Sequence, residues 1–426
     1  MAETNAALRS ARAGRAPVPS GRERLRLLYV SHEPPSPPRY GAQARMHGLM
    51  TALARRHDLS AITLVDPAVD SAPVARAMGE YCREVTLVRR GPAQGPAKRL
   101  QQVRSLVSLG TYERRLYSVP ALQAALDRVL GAGEFDVVNL ESPFLAHYRL
   151  PERGGFPRLI VDEHNVEFDV LRQVASGEGR LARRLYHAAN WRKLRREELA
   201  AWRRCDGLTV TSARDAERVR AEWPAARLAV VPNAVDVERL RPQPDDPPRE
   251  PRTLLFFGAL GYYPNVDAIL FFHREVWPRL ARSHPGLRLE IVGARAPAEV
   301  QALDGSGVRV AGFADDLRPV LARAGVVVAP LRLGGGTRLK ILEAMAMGKA
   351  VVSTSLGAEG LEVTSGEDLL LADDPAGFAA AIGRLLDEPG LAERLGQAAR
   401  EKVGRLYSWD ASAQRLEAFF REVLEW

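Results

Sequence analysis

Two long stretches in which apolar runs alternate with amphipathic segments, divided by one proline-rich interruption, constrain this chain more than any other feature. In the first stretch, apolar runs stand at 25–31, 59–65, 85–88, 135–140, 159–161, 207–210 and 228–231. Helical spacing falls between them, as at 42–56, where Met46, Leu49, Met50 and Leu53 share a face. Runs that are mostly continuous, rather than apolar at every second position, predict strands covered on both faces and therefore parallel sheets flanked by helices. Residues 232–252 break the pattern with Pro232, Pro242, Pro244, Pro247, Pro248 and Pro251, as a linker does. The alternation then resumes, with strands expected at 253–257, 287–292, 308–311, 326–329 and 350–353 and helices at 265–283, 316–324 and 338–347.

The expected fold class is therefore α/β, with two Rossmann-like doubly wound domains at 25–232 and 253–406, joined by a linker at 233–252. Sheets of this kind bind ligands at the carboxyl ends of their strands, so a two-domain version is expected to face its halves across a cleft. Residues 407–426 predict a final helix with Leu416, Phe419, Phe420, Val423 and Leu424 on one face, docked against a folded body.

Composition removes several classes. A length of 426 residues suits two full-sized domains. Two cysteines, Cys82 and Cys205, are too few for a disulfide framework or a metal cluster, and a reducing cytoplasm is the expected setting. No apolar run is long enough to span a bilayer. Residues 1–24 carry Arg9, Arg12, Arg15, Arg22 and Arg24 without a following apolar stretch, and predict a disordered extension rather than a secretory signal. The net charge of +8 comes with no recognisable nucleic-acid module, so no nucleic-acid partner is expected. A helix expected at 181–204 carries many arginines with Trp191 and Trp202; with Arg89, Arg90, Lys98, Arg99 and Arg104 it would form a basic, partly aromatic face. Such a face suits the anionic inner surface of a cytoplasmic membrane, and equally a solvated arginine-rich surface.

The most informative stretch runs from 329 to 352. It presents a strand end, then Gly334, Gly335 and Gly336, then Thr337 as a helix N-cap, a helix of about ten residues closed by Gly348, and another strand. Glycines let backbone approach a ligand closely, and the amide groups at a helix start favour an anion such as a diphosphate. Arg338 and Lys340 add the charge that a helix dipole alone lacks. Spacings of four and three place Gly336, Lys340 and Glu343 on one face, so Glu343 is positioned to accept a ribose diol, or else simply to pair with Lys340. A dinucleotide oxidoreductase is excluded because no G-x-G-x-x-G follows either first strand, and a Walker NTPase because Glu343 and Ala350 occupy required Gly and Ser/Thr positions.

With these residues in view, the second half resembles the retaining GT-B glycosyltransferases of family four, in a branch carrying Gly-Gly-Gly-Thr-Arg-Leu-Lys. The resemblance runs through Ser212-Ala213, 231–236, Phe257-Gly258, Pro264-Asn265, Ile291-Val292-Gly293, 310–313, 334–352 and 355–361, and more loosely through Gly41 and 162–167 in the first half. It implies a GT-B fold whose last helix crosses back to the first domain, an acceptor-binding first domain and a nucleotide-sugar-binding second domain. By position, Gly41, Gly258, Gly293, Gly312, Phe313 and Gly334 through Arg338, with Lys340 and Glu343, would bind the donor. His164 would contact the transferring sugar, and Glu141, at another strand end, joins it as a catalytic candidate. The family's first glutamate of a Glu-x7-Glu pair is here Gly335, and two cations usual after the first strand are Ala259 and Asn265. Arg338 and Lys340 are expected to replace those cations. No metal or other cofactor is expected.

The implied reaction transfers a hexosyl unit from an NDP-sugar, UDP- or GDP-linked, to a bacterial surface polysaccharide or lipid-linked glycan with retention. Two alternatives are a non-catalytic nucleotide-sugar-binding subunit and a sugar-nucleotide 2-epimerase; eight histidines in the whole chain suit the latter poorly.

Overall fold

The computed structural model describes residues 23–38, 41–91, 108, 110–177, 181–334 and 338–426. The chain divides into two compact units: the first ends at Val231 and takes up Ala413–Trp426 again, and the second is Pro232–Ser412. The expected extension at 1–24 lies almost wholly outside the described residues.

In the first unit the strands are β1 (Arg26–Ser31), β2 (Asp58–Val65), β3 (Glu84–Arg89), β4 (Val137–Leu140), β5 (Arg158–Glu163), β6 (Gly207–Val210) and β7 (Leu228–Val230). They form one sheet in the order β3-β2-β1-β4-β5-β6-β7, parallel throughout. The order reverses between β1 and β4, which is where a doubly wound sheet opens a ligand crevice. Val138, Leu140, Leu159, Val161, Leu208 and Val210 are fully buried, as near-continuous apolar strands require.

The last helix, Trp409–Glu425, turns Leu416, Phe419, Phe420 and Val423 inward. Its residues from Ala413 onward belong to the first unit. A Cβ on Gly207 would lie 2.7 Å from the Phe419 ring and 2.9 Å from Ile160, so the seat for this helix depends on a missing side chain in β6. Burying each phenylalanine there contributes roughly 1.5–3 kcal/mol.

In the second unit the strands are β8 (Glu250–Phe257), β9 (Arg288–Val292), β10 (Val308–Gly312), β11 (Ala324–Ala329), β12 (Val351–Ser353) and β13 (Leu370–Leu371). Their order is β10-β9-β8-β11-β12-β13, with the reversal between β8 and β11. β8 shows why the run is apolar throughout: Leu254 and Phe256 enter one core, Leu255 and Phe257 the other. The stretch read as a linker, 233–252, belongs to the second unit, and its last three residues already form the start of β8. Val235 N donates to Tyr407 O at 2.9 Å, which ties this stretch to the segment before the last helix.

The helix expected at 265–283 is Tyr263–Phe271, a π-helical turn at Phe272–Val276, and Trp277–Ser283. Pro278 explains the wide turn: it has no N–H to offer the preceding turn and its ring crowds the carbonyl four residues back. The two-residue β13 carries too short a pattern to be seen in sequence.

Candidate active site

The second unit builds its site on bare backbone. At the carboxyl ends of β8, β9 and β10 stand Gly258, Gly293 and Gly312. Gly258 N donates to Val292 O at 3.0 Å, and Gly293 N to Gly312 O at 2.7 Å. A Cβ on Gly293 would lie 1.9 Å from Gly258 O, a distance no side chain tolerates. Gly258 has φ +149°, and a Cβ there would be 3.0 Å from Lys340 Nζ. The glycines are thus what allow the strand ends to close together and a lysine to lie over them. Phe313, next in line, is 53% exposed, an apolar ring held in solvent beside this floor.

Lys340 comes from the helix Leu339–Ala346, which β11 feeds through the glycine loop. Its ammonium donates to Asn265 Oδ1 at 2.7 Å and sits 4.5 Å from the centre of the Phe256 ring. Asn265 in turn donates through Nδ2 to Ala259 O at 3.0 Å. Burial, helped by nearby Arg338, lowers the Lys340 pKa to about 7. One turn on, burial raises Glu343 to about 7 against the pull of Lys340 and Arg239. An anion arriving here would reverse the first shift, since it favours the ammonium form. Arg338 takes the N-cap position of this helix, with no side-chain cap bond. Its guanidinium lies against Gly334, where a Cβ would be 3.0 Å from Nη2. Gly335, Gly336 and Thr337, the expected cap, lie outside the described residues.

The first unit builds its site from charge. Glu141 follows β4, Asp162 and Glu163 end β5, and His164 follows them. His164 Nε2 is 3.1 Å from Glu141 Oε2 and 3.4 Å from Asp162 Oδ2. Arg45 grips Asp162 with both Nε and Nη2 at 2.9 Å and reaches Val231 O with Nη1 at 2.8 Å. Thr209 donates to Asp162 at 2.7 Å and Asn139 to Glu141 at 2.8 Å. Burial alone would discharge His164, but its hydrogen bonds to Asp162 and Glu141 outweigh that and raise it to about 10. Burial also opposes the Asp162 charge, and Arg45 and His164 hold that carboxyl far below its usual range. Glu141 is raised by burial. His164 is therefore an imidazolium at neutral pH, suited to donating a hydrogen bond and supplying charge rather than taking a proton.

The ligand atoms of Glu141, Asp162 and His164 lie within 4.8 Å of one another, close enough to suggest a metal. Both Asp162 oxygens are already bonded to Arg45, however, and a cation there would meet a guanidinium and an imidazolium.

The expected residues thus fall into two groups. Gly258, Gly293, Gly312, Lys340 and Glu343 belong to the second unit, His164 and Glu141 to the first. Gly41 is exposed and opens the helix Gly41–Ala54, one turn before Arg45. Sequence reasoning missed Arg45. Its only signal was an arginine on the otherwise apolar face of that helix, three residues before Gly48 and one before Met46.

The basic face on 181–204 needs correction. Trp202 is fully buried, donating through Nε1 to Glu163 Oε2 at 2.6 Å. Arg195 pairs with Glu222, and Arg204 donates to Ala146 O and Tyr148 O. An indole buries well and its one N–H needs a partner, so tryptophan in an arginine-rich helix is no sign of a surface role. Lys98, Arg99 and Arg104 lie outside the described residues. Among the described residues no helix is long and apolar enough to cross a membrane.

Comparison with known proteins converges on one group. Residues 39–239 match Glycosyltransferase Family 4, and residues 251–388 match Glycosyl transferases group 1. The chain is 32% identical over 204 residues to glycogen synthase of Mycobacterium tuberculosis, covering 44% of this chain and 47% of that protein. It is 33% identical over 219 residues to phosphatidyl-myo-inositol mannosyltransferase of Mycolicibacterium smegmatis, covering 49% and 55%. The matches therefore span about half the length of these relatives. In structure the chain resembles sucrose-phosphate synthase from Thermosynechococcus elongatus, with a TM-score of 0.69 at 20% identity, over 94% of this chain and 100% of the other. The two parallel-sheet units and the two matched regions make this chain a GT-B protein with a family 4 glycosyltransferase domain followed by a group 1 glycosyltransferase domain.

Proposed function

We propose that the protein is a retaining hexosyltransferase that uses an NDP-sugar, UDP- or GDP-linked, to extend a bacterial surface polysaccharide or lipid-linked glycan. The observation that carries this reading is the seat of Lys340: its ammonium, bonded only to a neutral amide at Asn265, rests over Gly258 with Glu343 one turn further along the same helix. That is an order of stations for a diphosphate and then a ribose. Asn265 stands where the resembling family usually carries a lysine, and Lys340 brings an ammonium to that very place from another helix. The replacement of cations expected from sequence is thereby given a physical route.

In this reading the bond from the sugar C1 to the diphosphate oxygen breaks and its electron pair goes to the diphosphate. Lys340, Arg338 and the helix amides offset that growing charge. The acceptor hydroxyl oxygen bonds to C1 on the face the diphosphate leaves, and its proton passes to the leaving phosphate. His164, charged and held by Asp162 and Glu141, donates a hydrogen bond to the transferring sugar. No step uses a metal. The work takes place in the cytoplasm, with contact to an anionic membrane through exposed Arg184, Arg192 and Arg203.

Thermal shift with UDP-, GDP-, ADP- and dTDP-sugars tests the pocket. One nucleotide family should stabilise the wild type and lose that effect in Glu343→Ala. Stabilisation by none of them would overturn the donor assignment. Stabilisation by one, with neither transfer to any acceptor nor slow donor hydrolysis, would instead identify a non-catalytic binding subunit, which the glycine at 335 favours.

A further inference from the structure

Among the buried side-chain atoms of the first unit that lack a hydrogen-bond partner, two stand just past the carboxyl ends of strands and outside the His164 cluster. His32 directly follows β1, and Arg90 directly follows β3. Arg90 is fixed at its backbone by N–H donation to Val65 O at 3.0 Å, and at its side chain by Nη2 on Asp66 at 2.7 Å. Its other terminal nitrogen, Nη1, is buried without a hydrogen-bond partner, and so is His32 Nδ1. A buried donor or acceptor left unpaired is costly, so each of the two calls for an explanation. In the order β3-β2-β1 both residues stand at the carboxyl edge of one parallel sheet, on either side of β2. The His32 ring meets Tyr117 edge-on at 5.0 Å, and Tyr117 stacks on Phe144 at 5.9 Å.

We propose that Arg90 and His32, backed by the Tyr117 ring, form an acceptor subsite on the first unit that takes a ring hydroxyl of a neutral sugar. This rests on the reading of the chain as a glycosyltransferase and names the chemistry of its second substrate. Asp66 already balances the Arg90 charge, so Nη1 offers N–H donors without offering net charge. Burial, with His164 and Arg90 close by, holds His32 near 3, so its ring is neutral and Nδ1 is a donor in one tautomer and an acceptor in the other. A hydroxyl, which both donates and accepts, suits Arg90 Nη1 as well as either tautomer of His32. A phosphate or carboxylate can only accept, and would bring a second negative charge beside Asp66. The aromatic pair supplies an apolar surface for the C–H face of a pyranose ring.

Saturation-transfer NMR on the full-length protein, with methyl α-mannopyranoside and methyl α-glucopyranoside as probes, tests this directly. At least one glycoside should receive saturation. Its affinity should fall about tenfold, the loss of a hydrogen bond to a charged group, in Arg90→Lys, which keeps the Asp66 pair but loses the second nitrogen. His32→Phe should weaken it similarly, while His32→Gln, which can both donate and accept, should keep most of it; melting temperatures confirm that each variant folds. No transfer from either glycoside, or transfer unchanged in all variants, overturns the subsite. Broadening of the inorganic phosphate resonance that Arg90→Lys abolishes, with both glycosides silent, overturns it in favour of an anion site. The thermal shift series keeps the two readings apart. Glycoside binding without nucleotide-sugar stabilisation sinks the donor assignment alone, and the converse sinks the subsite alone.

Discussion

The two units place their candidate residues at equivalent points, the carboxyl ends of parallel strands, yet furnish those points in opposite ways. The first unit packs them with charge that is already matched: Arg45 on Asp162, His164 between Asp162 and Glu141, with Thr209 and Asn139 satisfying remaining oxygens. The second strips side chains away, to Gly258, Gly293 and Gly312, and brings one cation whose bonded partner is a neutral amide. A matched buried network holds geometry, because removing any member strands the others. Bare backbone with a lysine on a neutral partner holds little by itself and, in the proposed reading, keeps its interaction for the donor. One site is built to be rigid, the other to be completed.

The sharpest way to break this contrast is to remove one cation from each unit. Arg45→Met should destabilise the first unit by about 3–5 kcal/mol, because Asp162 is left buried and uncompensated. Lys340→Met should leave stability unchanged or slightly raised, since a buried lysine already resists its charge, while weakening donor binding. Urea unfolding of both variants beside nucleotide titration reads the two effects; equal destabilisation by the two would erase the distinction.

Next in size is Gly293→Ala. Its methyl would need to occupy space 1.9 Å from Gly258 O, and forcing the strand ends apart should cost roughly 1–3 kcal/mol. Nucleotide stabilisation should disappear with it. A variant that keeps full stability and full binding would show that close approach of the strand ends is unimportant.

The smallest effect is a pH profile. Donor binding in this reading needs Lys340 protonated and Glu343 ionised, and both titrate near 7 in the free protein. Affinity should peak near neutrality, falling above it as Lys340 loses its proton and below it as Glu343 gains one, by at most about tenfold per pH unit on each side. Glu343→Gln should remove the acidic limb and keep the basic one. A profile flat from pH 6 to 8.5 would mean that neither group meets the donor.

Much of the fold was legible because both sheets are parallel and buried on both faces. The stretches 159–161 of β5 and 254–257 of β8 are uninterrupted apolar runs for that reason, and nearly every strand appeared within a few residues of its expected place. The π-helical turn at Phe272–Val276 was not foreseen, since hydrophobic spacing there stays helical whichever carbonyl each amide selects. In the site, the glycines at 258, 293 and 312 were legible through the family resemblance, each directly after or at the end of an apolar run.

What the sequence by itself determined is the order of elements, the positions of the strand ends, and the glycines and carboxylates at those ends, because these depend on patterns within a few residues. Only the tertiary structure decided which distant residues meet. Arg45 and Asp162 are 117 positions apart, Lys340 and Asn265 are 75, and nothing local in either pair names its partner. The structure likewise set the charge states. Lysine and glutamate near 7, and a histidine near 10, arise from burial and neighbours that exist only once strands from across the chain are side by side.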